Sequence, residues 1–382
     1  MTSARQSTPP DGATPLLVTG FDAARRMLSE RRTSKILDAE ARGLSPELGD
    51  AMLRMILFLD PPDHTRLRRL VSAAFSAARI EALRPRIERV AADLLDAMDR
   101  LETLDLIEAY AWPLPMQVIC DLLGVPTDSR EEFRTWTAIV AGGAAREHEQ
   151  PTQLTRLLGV IRGMIADQRA HPGDGLLSDL IAVREEEDRF SDGELTSMVF
   201  ALLVGGHETT AGLIGNGMFR LLEDRERWNR LRAEPGLLPT AIEEFIRFDS
   251  PLATTTYRAA AETFEFAGQT VAVGTPIDIS LAQANRDQSR FPQADRLQLD
   301  RVENPHLGFG HGIHYCLGAP LARMEAQVAF GALMNRYPDL DLAVPAGELT
   351  WRSDFMHALS SLPVRPRGAG HIRSDDRPDP LV

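Results

Sequence analysis

The sequence has almost no lysine. Lys35 stands alone among 42 basic residues, and all the others are arginine. That preference fits the codon usage of a GC-rich bacterial genome and by itself carries no chemistry. Cysteine is nearly as scarce. Cys120 and Cys316 could form one bridge at most, which excludes a disulfide-stapled fold. Basic residues are outnumbered 42 to 55, for a net charge of −13. That excludes the broad basic face of a general nucleic-acid or bilayer-surface binder, though not a local basic patch. No uninterrupted apolar run approaches the roughly 20 residues of a membrane span. The leading segment, MTSARQSTPPDGATP, is polar and Pro-rich, without the apolar core of a signal peptide. The expectation is a cytoplasmic protein whose two thiols stay reduced.

Helical spacing dominates what is present. Apolar residues recur three and four apart over 21–30, 63–75, 80–101, 111–123, 152–169 and 237–247. Ser191 followed by Glu194 is a capping box, and it opens a long apolar helix reaching about Leu222. Alternating stretches at 264–267, 270–273 and 276–280, broken by Gly268 and Gly274, predict a small hairpin sheet, with a last short strand at 362–365. Nothing in the composition marks a domain boundary. The expected organisation is a flexible lead (1–14), one mainly α domain with small β-sheets (15–366), and a charged, Pro-rich, disordered tail (367–382).

The most informative segment is 309–323, Phe-Gly-His-Gly-Ile-His-Tyr-Cys-Leu-Gly-Ala-Pro-Leu-Ala-Arg. Gly310 and Gly312 permit positive φ and close approach of backbone to a flat ligand. Pro320 suits a first helical turn, and helical spacing follows over 321–337. Cys316 therefore stands just before a helix, where aligned peptide dipoles and free amides favour a thiolate. Two plainer readings compete: a buried loop cysteine, or a zinc site of His311, His314 and Cys316. The second lacks the paired-cysteine spacing of structural zinc. Cys120, in the apolar stretch 116–125, reads as core.

The whole segment resembles the haem-binding signature of the cytochrome P450 family, Phe-x-x-Gly-x-x-x-Cys-x-Gly, matched at Phe309, Gly312, Cys316 and Gly318, with Leu321-Ala322-Arg323 continuing the bacterial form. The resemblance implies the cytochrome P450 fold, haem b with Cys316 as axial ligand to the iron, and dioxygen as co-substrate. It also implies that Phe309 packs near the sulfur, with Gly310 and Gly318 beside the ring, and that His314 reaches a haem propionate. A thiolate ligand pushes electron density onto iron and favours O–O cleavage.

Four further segments resemble family motifs. Gly205-Gly206-His207-Glu208-Thr209-Thr210 resembles the oxygen-binding stretch, with Gly205 where alanine is usual. It implies haem against Gly205 and Gly206, a local opening of the helix, and a proton relay through Glu208 and Thr209. Glu244 and Arg247 resemble the structural Glu-x-x-Arg pair, which locks to a downstream arginine segment matched at Asp295-Arg296, with Leu297 replacing the usual phenylalanine. His64 and Arg68, four apart on one face, resemble propionate ligands, and Arg258 resembles a third. On the helix carrying His64, Arg66 and Arg69 point elsewhere and, with Arg323, would form a basic patch for a redox partner.

The implied function is insertion of one oxygen atom, by hydroxylation or epoxidation, into a mid-sized organic substrate, such as a natural-product intermediate. Electrons would come from a separate ferredoxin or flavodoxin and its reductase. The substrate, free or carrier-tethered, would meet 44–57, 140–158, 201–209 and 252–256. A monomer is expected, without nucleic-acid or membrane partners. A peroxide-driven or non-oxygenating haem-thiolate enzyme is the alternative, and a haem electron carrier or gas sensor a remote one. Family members carry a longer segment before 17–22, which leaves two readings: a start assigned too late, or an N-terminally shortened chain with a wide substrate opening, the latter being the expectation.

Overall fold

The computed structural model describes residues 14–36, 46–125, 150–173, 175–183, 189–352 and 356–367. The lead, most of the tail and the pocket segment 140–149 lie outside these residues.

The fold is built around the Asp192–Leu222 helix. Its start is the expected capping box: the Glu194 amide donates to Ser191 Oγ at 3.3 Å, and the Ser191 amide donates to Glu194 Oε2 at 2.8 Å. The helix is apolar around most of its circumference, so it is stable only when covered on all sides. Helices Arg84–Met98, Pro113–Leu123 and Ala319–Arg336 pack with it as one group. Tyr110, Trp228, Phe245 and Phe330 fill one core, while Leu67, Cys120, Leu157 and Phe200 belong to a second. Cys120 is fully buried, as its apolar context predicts.

By length and apolarity this helix is also able to cross a membrane. Two thirds of its most apolar window is buried inside the fold, the position of a core helix. In the sequence its apolar stretch is divided by the polar run 207–210, so no uninterrupted apolar run of spanning length stands there.

Helices also form at Phe21–Leu28, Asp63–Ala74, Gln150–Ala170 and Leu238–Phe248, within a few residues of the expected bounds. The expected single helix at 80–101 is two, Ala77–Ala82 and Arg84–Met98. Pro85 sits in the first turn of the second, where its missing N–H costs nothing. The hairpin sheet is also revised. Phe264–Phe266 and Gln269–Val271 pair antiparallel, but Ile277–Ile279 pairs in parallel with Leu16–Val18. Pro363–Arg365 lies between Leu104–Asp105 and Asp341–Leu342. One two-residue pairing matters for the site: Thr33–Ser34 runs antiparallel to Ala259–Ala260 and brings residue 35 beside the segment carrying Arg258.

Candidate haem site

Cys316 follows a 3-10 turn, Gly312–His314, and precedes the Ala319–Arg336 helix. The loop is closed by backbone bonds from the Gly310 amide to Leu307 O (2.8 Å) and from the Cys316 amide to Phe309 O (2.9 Å). Gly310 and Gly312 both have φ of 74°, as their spacing predicts. At Gly312 a Cβ would also meet Leu28 O at 2.9 Å, so side chains are excluded by contact as well as by conformation. The amides of Gly318 and Ala319 donate to the Cys316 sulfur, and Arg68 and Arg323 add positive charge. Burial outweighs them and pushes the thiol up. Cys316 is nevertheless exposed. Phe309 is half-buried, with the Arg323 guanidinium 4.5 Å over its ring.

A cationic pocket lies nearby. The His64 and His314 rings lie against each other with centroids 4.3 Å apart and planes tilted by 53°. His64 is buried, and neither of its ring nitrogens has a hydrogen-bond partner. Arg258 is buried; it donates to Thr33 Oγ1 at 2.5 Å, while its Nε has no partner. Arg68 donates to Tyr315 O at 2.7 Å. Burial, then the charges of Lys35, His64, Arg258 and Arg68, hold His314 down at about 2. Buried polar nitrogens without partners are rare, and cations in such a group are costly unless an anion joins them. The donor set fits a ligand carrying carboxylates.

On the central helix, Gly205 is exposed and nothing would meet a Cβ there, while a Cβ on Gly206 would meet the Ile119 side chain at 3.4 Å. The helix runs without interruption here, so the expected local opening is not present. Thr209 Oγ1 donates to Gly205 O at 3.0 Å, an ordinary helical back-bond. Glu208 does not join Thr209. Its carboxylate accepts from Arg352 (2.9 Å) and Trp112 Nε1 (3.3 Å) and lies 3.6 Å from His207. Burial works to raise its pKa, but His207 and Arg352 prevail and hold it at about 2. Trp112 and Arg352 went unnoticed in the sequence, where no local pattern links either to position 208.

The Glu244–Arg247 pair is fully buried and bidentate, at 2.7 and 2.8 Å. Its downstream partner is Arg301, 3.0 Å from Glu244 Oε2, and not Arg296, which contributes only its carbonyl to Arg247. Asn304 and the Gln298 amide complete the carboxylate's partners. The expected basic patch is also revised. Arg66 is paired with Glu194, and Arg323 with Glu243 at 2.7 and 2.8 Å, so both charges are neutralised. Of the expected substrate-facing residues, Met55 is buried, and Thr256 accepts from the Lys35 ammonium.

A buried cationic pocket, a cysteine sulfur fed by helix amides and an accessible helix glycine together fit a flat, dicarboxylate-bearing macrocycle. Residues 146–342 match the family described as Cytochrome P450. The chain is 44% identical over 354 residues to cytochrome P450 107B1 of Saccharopolyspora erythraea, covering 92% of this chain and 85% of that one.

The chain belongs to the cytochrome P450 family.

Solved structures agree. A polyketide-synthase P450, PksS of Bacillus subtilis, superposes at TM-score 0.86 and 37% identity, covering 92% of this chain and 90% of that one. P450BioI, in complex with an acyl carrier protein bearing hexadec-9Z-enoic acid, superposes at TM-score 0.86 and 33% identity, covering 92% of each chain. The protein is a haem monooxygenase whose iron takes a cysteine thiolate and whose co-substrate is dioxygen. Bacterial members generally draw electrons from a ferredoxin and its reductase.

Proposed function

We propose that Cys316 is the axial ligand, that His64, Arg68, Arg258 and His314 bind the propionates, and that Gly205, Gly206, Phe309, Gly310 and Gly318 line the macrocycle. Glu208 and Thr209 deliver protons, and Glu244 and Arg247 hold the surrounding core. The carrying observation is Cys316 itself, which stands exposed at a helix start with the amides of Gly318 and Ala319 favouring its thiolate. When bound, the haem activates dioxygen so that one oxygen atom enters an organic substrate and the other leaves as water.

The protein's own part follows from its geometry. The amides of Gly318 and Ala319 stabilise negative charge on sulfur. Thr209 is oriented by its bond to Gly205 O, which leaves the hydroxyl oxygen free to accept from water. Glu208 is ionised at neutral pH and must take up a proton before giving one. Release from Arg352 would raise its proton affinity and let it serve as the acid. Arg352 thus sets when that carboxylate exchanges protons.

The substrate is a mid-sized natural-product intermediate, free or carrier-tethered. The names of PksS and of the carrier-bound P450BioI support that class. Electrons come from a ferredoxin or flavodoxin, and the protein works in the cytoplasm as a monomer. Residues 15–366 act as one haem domain, which is supported by the pairing of strands near both ends into the body of the fold. Cys316→His tests the ligand: the reduced carbon-monoxide adduct should lose the red-shifted band of a thiolate. Retention of that band would refute the assignment. Thr209→Ala tests the relay, and product formed per reducing equivalent should fall.

A further inference from the structure

The cationic pocket holds one more basic group than the family motifs account for. Lys35, the single lysine of the chain, is 3% exposed. The short pairing of Thr33–Ser34 with Ala259–Ala260 carries it inside, where its ammonium donates to Thr256 Oγ1. The groups that act on it or on which it acts are Arg258, His64, His314 and Asp60, and Arg68 adds its charge at the two histidines. Among the described residues Asp60 is the one carboxylate in this group, and it is already engaged. It accepts from Ser34 Oγ at 2.5 Å and from the Lys35 backbone amide at 3.2 Å. Three formal cations and two histidines therefore share one carboxylate. A lysine is rarely buried so deeply without an anion. Burial first, then Arg258, lowers its pKa to about 7, which describes an amine waiting for a negative neighbour.

We propose that Lys35 is a further cofactor-binding residue, whose ammonium takes a haem propionate beside Arg258 and His64 and draws a proton when that carboxylate arrives. This rests on the reading of those residues as the propionate set. A carboxylate on the substrate has the same chemistry, so the test must separate the two sources.

The scarcity of lysine supplies the probe. Lysine labelled with ¹³C at Cε and ¹⁵N at Nζ places one side-chain signal in the whole protein. Its titration is followed in the diamagnetic ferrous carbon-monoxide form, without substrate, once with iron protoporphyrin IX and once with its dimethyl ester. The midpoint should lie at least one pH unit higher with the free propionates, a tenfold change in proton affinity. Lys35→Met should lose haem to a scavenging apoprotein about tenfold faster, Lys35→Arg should restore retention, and with the dimethyl ester the difference should vanish. Equal midpoints in the two haem forms, or unchanged haem loss in Lys35→Met while Arg258→Gln loses haem rapidly, would overturn the role of Lys35 alone. Unchanged haem loss in Arg258→Gln as well would overturn the propionate reading beneath it. A midpoint that rises only when a carboxylate-bearing substrate is added would assign Lys35 to the substrate and overturn the proposal.

Discussion

Two buried polar clusters of this protein look alike in composition and differ in completeness. In the Glu244–Arg247–Arg301 cluster, one carboxylate meets two guanidiniums, an amide N–H and Asn304, while Arg247 spends its remaining donors on the carbonyls of Asn285, Ala294 and Arg296. Its charges are answered within the chain. In the pocket of His64, Arg68, Arg258, His314 and Lys35, cations outnumber carboxylates, and both His64 nitrogens and Arg258 Nε lack partners. The first cluster holds structure whatever is bound. The second lacks, among the described residues, enough anions to answer its cations, which is the difference expected between a ligand pocket and a structural knot made of the same residues.

The comparison predicts opposite signs for charge removal. Glu244→Gln leaves Arg247 and Arg301 facing each other in the interior, and should destabilise by about 3–5 kcal/mol in denaturant unfolding, with or without haem. An effect below about 1 kcal/mol would mean that this cluster is as incomplete as the other. Arg258→Met should do the reverse in haem-free protein, raising stability by roughly 1 kcal/mol through removal of a poorly compensated cation, while haem loss accelerates at least tenfold. Loss of stability in both forms would show that the pocket is a structural knot after all.

Glu208 sharpens the contrast, because Arg352, Trp112 and His207 partner it yet its proposed task needs release. Its pKa is lowered in the fold from 4.5 to about 2, so its contribution is fully present above about 4.5 and is lost as pH falls toward 2. Glu208→Gln should flatten the acid limb of a stability–pH curve across that window by an amount of order 2 kcal/mol. Glu30 and Glu243 are lowered to the same range, so the variant curve keeps part of its slope. An unchanged limb would show that Glu208 is not held as an ion. The smallest effect belongs to the surface. Arg66→Ala, which breaks a half-exposed pair with Glu194, should cost under about 1 kcal/mol and leave the first electron transfer nearly unchanged. A large slowing would restore Arg66 to a docking patch.

Much of the site was legible in the chain because it is local. The run from Phe309 to Arg323 places glycines, cysteine and helix start within one segment, and Ser191 with Glu194 announces the central helix. His64 and Arg68 share a helical face by spacing alone. The helix break at Pro85 was legible too, and apolar periodicity on both sides masked it.

What the sequence determined by itself was the family, the cofactor chemistry and the residues that lie close in chain order to that chemistry, since short-range spacing and backbone conformation decide them. Tertiary structure alone decided the partners. Arg301 rather than Arg296 completes the Glu244 cluster, Arg352 and Trp112 restrain Glu208 from 144 and 96 residues away, and a two-residue strand pairing delivers Lys35 to Arg258. The physical reason is that long-range ion pairs depend on where the chain is brought together in space, and residue spacing along the chain carries no record of that distance.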